Sequence, residues 1–332
     1  MDSKIIEWTD PISGEKLIEK GKYLISNRSR YPIIDGIPVF VNELNDENQT
    51  QVQKSFDDKW TTSSFGQDDK EFEEKIKPMF MNMMGIESDL SIFKNKIILD
   101  VGIGSGSTAR LWATHAKEFH GIDISKAIFK ARNALKSLSK PPILTQADLN
   151  NLPYPDNSFD IIVSNGVFHH TPNTKEALGN TIKKLKKGGD CIFYIYKKKS
   201  PIREFTDDFI RSQISDLEYS EAWEKVKPLT EFGKLLHQKD IKIDISHDIE
   251  LLGIKKGTYD LQRFIYDFIF KCFWNDSWGY EYSNLVNVDW FHPKYCWRHT
   301  EDEIRSWCQQ FNLKIRHIKE KESGYACWLI KE

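Results

Sequence analysis

The chain has 332 residues, of which 39% are apolar and 29% charged, and its formal net charge is −2. This composition argues against an intrinsically disordered chain, and no apolar run approaches the roughly 18 residues of a spanning helix. Five cysteines, the first of them Cys191, never occur as C-x-x-C, so neither a disulfide framework nor a metal site is predicted. The N-terminus lacks a secretion-signal pattern, and we expect a cytoplasmic protein without a membrane partner, its oligomeric state left open.

The first 95 residues differ from the rest of the chain in their pattern of apolar and polar residues. Residues 1–45 have short alternating apolar runs separated by turn signals such as Gly21 and Asp35-Gly36, which predict a small β-module. Residues 46–95 are polar, acidic and compatible with helix. They predict a helical linker or lid between the module and the next segment.

Residues 96–199 alternate strand-like and helix-like stretches, which is typical of βα units on a parallel sheet. A helix and two strands over 300–332 resume this pattern after an interruption. The fold class predicted is α/β, a doubly wound Rossmann-like sheet of seven strands. Gly188 and Gly189 are expected to end the preceding helix with a left-handed cap. The five predicted strands of the first segment are KIILDVG, EFHGIDIS, PILTQAD, FDIIVSN and DCIFYIY.

Residues 200–299 form a predicted, mostly helical insertion after the fifth strand. Fourteen aromatic residues fall within 259–297, and the insertion carries 17 acidic against 13 basic residues. Aromatic walls with a few polar groups are typical of small-molecule pockets, so we expect a substrate cap. Its polar residues near the return to the sheet are the candidate substrate contacts: His292, Tyr295 and Arg298.

A glycine-rich loop follows the first predicted strand of the sheet. In ILDVGIGSGS (98–107), glycines stand at 102, 104 and 106, where the backbone must turn tightly and approach a ligand closely. A dinucleotide-binding fingerprint requires G-x-G-x-x-G, and its third glycine position is Ser107 here. The loop alone is weak evidence for any one ligand.

Three acids at the ends of consecutive strands strengthen that signal. Asp100, Asp123 and Asp148 are expected to converge on one cleft, because ligands bind beyond the carboxyl ends of the strands in such sheets. Asp123 is placed to accept hydrogen bonds from ribose hydroxyls, and Asp148 from an adenine amine. Asp100 would repel a diphosphate and attract an ammonium or sulfonium group.

Residues 97–199 resemble the class I S-adenosylmethionine-dependent methyltransferases. The likeness follows the order DVGIGSG, GIDIS, ADLNNLPYPDNSFD, IIVSNGVFHH and LKKGGDCIFYIY. It implies S-adenosylmethionine as the cofactor. It implies that Asp100, Gly102 and Gly104 contact the methionine part and that Asp123 and Ile124 contact the ribose and adenine. It also implies that Asp148 and Leu149 contact the adenine and that Asn165 lies beside the reacting sulfonium.

The N-terminal region carries a second resemblance. YPIIDGIPVFV resembles the end of a small zinc-ribbon module that precedes some methyltransferase domains. Because the paired cysteines of that module are absent, no metal is implied, and a degenerate, metal-free β-module is expected. SFDDKW resembles the family's helix before the core, so Phe56 and Trp60 are candidate lid residues over the cofactor.

Two classes of acceptor remain open. The aromatic, acidic insertion favours a small-molecule O- or N-methyltransferase, for example in natural-product or glycan metabolism. The basic segment 96–199, with 16 basic against 8 acidic residues, favours a tRNA or rRNA methyltransferase as the alternative.

His169 and His170 follow the fourth strand, and either is a candidate general base, although both could simply pack the loop. A catalytically inactive cofactor-binding protein is the third hypothesis.

Overall fold

The computed structural model describes residues 6–41, 44, 46–62, 68–86 and 90–332. The first five residues, which belong to the segment searched for a secretion signal, lie outside the described residues. The chain divides into two compact units. The core unit holds the described residues up to Lys197 together with Trp297–Glu332, and the inserted unit is Lys198–Cys296. Within the described ranges, no helix has both the length and the apolar character needed to cross a bilayer.

A small antiparallel sheet lies near the N-terminus of the core unit, with strand order β1-β2-β3-β4. Leu24, Tyr31 and Ile37 are buried on it, as expected where alternate residues of a strand face a core. The four strands are β1 (Ile18–Lys20), β2 (Tyr23–Ile25), β3 (Arg30–Ile34) and β4 (Ile37–Pro38).

The buried carboxylate of Asp10 organises the loops beside this sheet. Asp10 is only 1% exposed. Burial by itself would raise its pKa, but hydrogen bonds from Ser29 and other donors outweigh burial and hold the pKa below its usual range. Its oxygens accept from Ile12 N (2.9 Å), Ser13 N (3.3 Å), Ser26 Oγ (2.8 Å) and the Tyr31 hydroxyl (3.1 Å).

Helices connect the small sheet to the main sheet. The first, α1 (Glu47–Thr62), is the longest of this region. After it come α2 (Asp69–Glu71), a π-helical turn (Phe72–Ile76), α3 (Lys77–Met83) and a 3₁₀ turn (Ser91–Phe93).

The main sheet has seven strands in the order β12-β13-β9-β8-β5-β6-β7. The five strands β9-β8-β5-β6-β7 are parallel, and β13 runs antiparallel to both neighbours. The predicted α/β class with a seven-stranded Rossmann-like sheet is therefore confirmed. The strands are β5 (Ile97–Val101), β6 (Glu118–Asp123), β7 (Ile143–Gln146), β8 (Phe159–Asn165), β9 (Leu185–Tyr196), β12 (Leu313–Glu320) and β13 (Gly324–Lys331).

Short helices link these strands, and the strand order reverses beside β5. The chain moves from β5 to β6 and β7, then crosses to β8 on the other side of β5. Such a switch point opens a ligand crevice at the carboxyl ends of the strands. The linking elements are α4 (Arg110–Ala113), α5 (Ala127–Ala134), two 3₁₀ turns (Leu149–Asn151 and Phe168–His170), α6 (Thr174–Lys184) and α11 (Glu301–Gln310).

The predicted glycine cap at Gly188 and its neighbour is wrong. Helix α6 ends at Lys184, and β9 begins at Leu185, so Gly188, with φ +76°, lies inside the strand. The pairing of β9 with β8 shifts register at this point, which is the bulge that a glycine permits. The end of the helix is satisfied instead by Lys331, whose Nζ donates to the carbonyls of Ile182 (3.0 Å) and Leu185 (2.7 Å).

The inserted unit is mostly helical, with one two-stranded antiparallel sheet formed by β10 and β11. Pro201 occupies the first turn of its first helix, where a missing N–H costs nothing, and the Ser200 side chain caps that helix. Its elements are α7 (Pro201–Ile214), α8 (Tyr219–Gln238), β10 (Lys242–Ile245), a 3₁₀ turn (Glu250–Leu252), β11 (Gly257–Asp260), α9 (Leu261–Phe268) and α10 (Gly279–Phe291).

Candidate active site

The glycine loop after β5 requires glycine for two separate reasons. Gly102 and Gly104 have φ of +72° and +56°, a backbone region that other residues rarely adopt. A Cβ on Gly102 would collide with Val167, and one on Gly104 would lie 2.9 Å from the Trp60 ring. The loop is therefore packed closely by side chains from two other parts of the core unit.

Asp123, at the end of β6, holds this loop in place. Its Oδ2 accepts a hydrogen bond from Gly104 N at 2.7 Å, and its Oδ1 accepts from Ser125 N at 2.8 Å and Ser125 Oγ at 2.6 Å. Burial raises the pKa of Asp123, while the bonds from Ser125 and Gly104 and the charge of Lys59 oppose that rise. The carboxylate thus couples the strand end to the loop.

Asp100, on β5, is a second buried acid beside it, and we call Asp100 and Asp123 the acid pair. Asp100 is 3% exposed, and Trp112 Nε1 donates to its Oδ2 at 2.8 Å. Among the described residues, none donates a hydrogen bond to its Oδ1. Burial raises the pKa of Asp100 to about 7, the Trp112 bond opposes this, and the charge of Asp123 adds to it. A cationic ligand would relieve this unfavourable burial of negative charge.

The other residues implied for adenine and sulfonium lie at neighbouring strand ends. Asp148 is half-buried and caps the 3₁₀ turn after β7 by accepting from Asn150 N at 3.0 Å. Leu149 is buried, and Asn165 is the half-buried last residue of β8. The carboxyl ends of β7 and β8 flank those of β5 and β6 in the same sheet, so the topology places all these positions along one edge.

Helix α1 packs onto this edge. Gln53 Nε2 donates to the carbonyl of Ile124 at 2.7 Å, and Lys130 Nζ donates to the carbonyl of Trp60 at 2.6 Å. The Trp60 ring lies against Gly104, and the Phe56 ring meets the edge of His170 at 5.0 Å between centroids. Both predicted lid residues therefore contact the loops that were predicted to hold the cofactor.

The two candidate catalytic histidines occupy the 3₁₀ turn after β8. His169 is completely buried and stacks on Tyr196 at 3.8 Å. Tyr196 N donates to its Nδ1 at 3.3 Å, whereas its buried Nε2 has no partner among the described residues. Burial and the neighbouring His170 and His299 lower the pKa of His169 well below its usual value. The neutral ring with its proton on Nε2 is favoured, which leaves His169 no free lone pair.

Residues that the sequence interpretation left out also contact this turn. Trp297 donates from its backbone N to the carbonyl of His169 and from its Nε1 to the carbonyl of Thr171, both at 2.9 Å. His299 Nε2 lies 3.0 Å from Thr174 Oγ1. About 125 residues separate these partners, and only the parallel bridge between Lys197 and His299 brings them together, so no local spacing could reveal them.

The candidate substrate residues are not gathered into one site within either unit. His292 belongs to the inserted unit, is 3% exposed, and donates from Nε2 to the carbonyl of Leu217 at 3.0 Å. Its ring also packs edge-on against Tyr219, so both its Nε2 and its ring are engaged in packing within the inserted unit. Tyr295 is half-buried in the inserted unit, whereas Arg298 is half-buried in the core unit.

All five cysteines are buried free thiols. In the part of the chain that the structure describes, no group of three or more His, Cys, Asp or Glu side chains is arranged to hold a metal ion.

Comparison with known proteins assigns the segment that carries this geometry. Residues 99–193 match the family described as "Methyltransferase domain". This segment is therefore similar to methyltransferase domains. The residues at this edge of the sheet fit S-adenosylmethionine, the cofactor that the resemblance implies. Asp100 has one carboxylate oxygen to which no described residue donates, and a Cβ on Gly102 or Gly104 would collide with side chains packed against the loop.

The relatives are distant and are matched only in part. An uncharacterized methyltransferase of Geobacillus sp. (strain WCH70) is 26% identical over 132 residues, covering 39% of this chain and 61% of the relative. The phthiotriol/phenolphthiotriol dimycocerosates methyltransferase of Mycobacterium leprae is 27% identical over 131 residues, covering 38% and 47%. The chain thus spans less than two thirds of the length of these relatives.

Among solved structures, magnesium protoporphyrin IX methyltransferase from Synechocystis PCC 6803 matches with 13% identity and a TM-score of 0.45. The match covers 88% of this chain and all of that one.

Proposed function

We propose that this chain is an S-adenosylmethionine-dependent methyltransferase acting on the oxygen or nitrogen of a small molecule. The observation that carries the proposal is the acid pair beneath a glycine loop in a methyltransferase domain. The small-molecule class draws support from relatives whose names specify phthiotriol and phosphoethanolamine as acceptors. Natural-product and glycan metabolism stay predictions.

The residues of the core unit would share the work as follows. When bound, the cofactor supplies an electrophilic methyl group on a positively charged sulfur. Asp100 attracts positive charge, and Asp123 keeps the loop at its working distance while facing the ribose. Phe56 and Trp60 exclude water as lid residues, which favours transfer to the acceptor rather than to solvent.

Of the two histidines, His170 is the better general base for an oxygen acceptor. His169 has its Nδ1 engaged by Tyr196 and its proton on Nε2, so it can donate a hydrogen bond but cannot accept a proton while neutral. We infer that His169 positions the turn and that His170 takes the proton. His170→Asn should then lower kcat for a hydroxyl acceptor, whereas an amine acceptor, which arrives neutral, should be little affected.

The decisive experiment measures S-adenosylhomocysteine formation against pools of small-molecule acceptors. Activity is expected with at least one pool and should disappear in Asp123→Asn, a variant that keeps the side-chain shape. Cofactor binding without turnover on any acceptor would favour an inactive cofactor-binding protein instead.

The inserted unit is proposed as the part that recognises the acceptor. Replacing 205–295 by a short linker should leave cofactor affinity unchanged and abolish turnover. Cofactor binding is the internal control for folding of the core unit. Turnover that survives the deletion would show that the insertion has a structural role only.

The alternative, a tRNA or rRNA methyltransferase, is weakened because several lysines of the basic segment form ion pairs within the protein. Lys184, Lys186 and Lys197 each form an ion pair, with Nζ to carboxylate distances of 2.6–2.7 Å, so their charge is partly neutralised within the core unit. Filter binding of bulk tRNA at low salt tests this directly. Tight binding that weakens steeply with salt would reverse the choice.

The N-terminal sheet is proposed to be a ribbon module that replaces its metal by hydrogen bonds. Asp10 and Ser13, and Ser26 and Ser29, repeat the two-residue spacing of paired zinc ligands. The Asp10 carboxylate accepts from Ser13 N and Ser26 Oγ, so one buried acid joins both pairs. The cytoplasmic location and the oligomeric state stay open to experiment.

A further inference from the structure

The interior of the inserted unit contains a buried arginine with one unused donor. Arg203, on α7, is 0% exposed. Its Nε donates to Asp207 Oδ2 at 2.6 Å, and its Nη1 donates to the carbonyl of Tyr266. Its Nη2 is buried and has no partner among the described residues. An unused donor on a buried guanidinium is costly, so this atom is a place where a ligand can gain binding energy.

A lysine shares the same surroundings. Lys271 is 3% exposed, and its Nζ lies 4.3 Å from the centroid of the Trp290 ring, over which the Arg203 guanidinium also lies at 5.4 Å. No hydrogen bond or ion pair of this Nζ to any described residue is present. We call Arg203 and Lys271 the cation pair.

The charges around Lys271 show that it is poorly compensated. Burial lowers the pKa of Lys271 to about 7, and the charge of Arg203 lowers it further. Asp207, Asp289 and Cys296 act in the opposite direction but do not restore the usual value. Burial and the neighbouring guanidinium therefore disfavour the charged form of Lys271.

Three donors already share the carboxylate of Asp207. Its Oδ2 accepts from Arg203 and from Trp290 Nε1 at 2.7 Å, and its Oδ1 accepts from the backbone N of Lys271 at 3.1 Å. Asp207 therefore leaves Arg203 Nη2 without an acceptor among the described residues.

We propose that the cation pair binds the carboxylate of a small organic acid, which accepts hydrogen bonds from Arg203 Nη2 and Lys271 Nζ. A carboxylate has two oxygens for these two donors and matches the planar donor geometry of a guanidinium.

The test measures carboxylate binding to the full chain without any methyl donor. Thermal unfolding is followed with formate, acetate and benzoate, each against chloride at equal ionic strength. At least one carboxylate should raise the melting temperature of the unmodified protein. Lys271→Met, which removes the charge at similar length, should weaken its apparent affinity at least tenfold, and Lys271→Arg should restore it. Lys256→Met, at an exposed position of the same unit, is the matched control and should behave like the unmodified protein.

Lys271 is changed rather than Arg203, because loss of Arg203 would strand Asp207 and endanger folding. Absence of any carboxylate-specific shift, or equal affinity in Lys271→Met, would overturn the site. Because the assay contains no methyl donor, that failure leaves the methyltransferase proposal intact. Conversely, carboxylate binding by a chain that never forms S-adenosylhomocysteine would retain the site and remove the proposed function.

Discussion

The acid pair of the core unit and the cation pair of the inserted unit are built in opposite ways. Asp100 and Asp123 stand at the ends of adjacent parallel strands, so the backbone of the sheet sets their spacing. Arg203 and Lys271 are placed by side-chain packing around Trp290, and no regular element relates their positions. In the acid pair no described residue donates to Asp100 Oδ1, and in the cation pair the buried Arg203 Nη2 has no partner among the described residues.

Asp10 provides the contrast to both pairs. It is as deeply buried, but hydrogen bonds satisfy both of its oxygens, and its pKa lies below the usual range rather than above it. Buried charge alone therefore does not indicate a ligand site. Asp10 differs from Asp100 in that donors engage both of its oxygens.

The strongest way to break this comparison is to remove Asp123. Asp123→Ala deletes the hydrogen bonds to Gly104 and Ser125 as well as the proposed ribose contact. We expect S-adenosylmethionine affinity to fall about a hundredfold, close to 3 kcal/mol. Isothermal titration calorimetry measures it, with Asp148→Ala expected to cost about tenfold because that side chain is half-buried. Unchanged affinity in Asp123→Ala would contradict the three-acid interpretation.

Gly104 tests how tightly the loop is packed. Gly104→Ala forces a Cβ within 2.9 Å of the Trp60 ring and strains a positive φ, so cofactor affinity should fall more than tenfold. Gly21→Ala has a similar positive φ with open space around it and serves as the control for strain alone. Adding Trp60→Ala to Gly104→Ala should recover part of the loss. No recovery would show that Trp60 does not press on the loop.

The acid pair also predicts a pH dependence of cofactor binding. Asp100, with its pKa raised to about 7, is neutral below that pH and loses its attraction for a cation. Affinity should therefore fall about tenfold between pH 8 and pH 6. Asp100→Asn should bind weakly with a flat profile over this range. A profile that stays steep in the variant would assign the titration to another group.

The smallest effect is expected at Asp10, the satisfied acid. Asp10→Ala should lower the free energy of unfolding by about 1–2 kcal/mol and leave cofactor affinity unchanged. Because the folded pKa is lowered, this stability is present above the unfolded pKa and is lost as the pH falls below about 4. Urea unfolding from pH 7 to pH 3 should show a flatter acid limb in the variant. Glu19→Ala, exposed in the same sheet, is the control.

Interpretation of the sequence succeeded where backbone periodicity carries the information. The strands around Asp100 and Asp123, the glycine loop and the order of the sheet follow from local patterns that a parallel sheet repeats. Gly188 shows the limit of local patterns, because a glycine after lysines predicts a helix cap as well as a strand bulge. The choice between them depended on Lys331, which approaches the end of α6 from the last strand.

The histidines and the insertion mark the same limit. The doublet His169-His170 suggests a base, but only the tertiary structure shows that the Tyr196 backbone N–H engages Nδ1 of His169. In the insertion, the aromatic excess suggested a recognition unit, yet His292 turned out to serve its interior. The sequence pattern did not predict a site at Arg203 and Lys271, because a lone cationic residue in a sequence is ordinarily exposed.

The sequence by itself determined the α/β fold and the strand-end acids, since these depend on short-range alternation and on residues at fixed offsets from a strand. The cofactor was implied by the resemblance to methyltransferases. Only the tertiary structure decided the tautomer of His169, the packing of Trp60 on Gly104 and the cation pair. These properties depend on burial and on partners distant along the chain, and burial converts an ordinary charged side chain into one that requires a counter-charge.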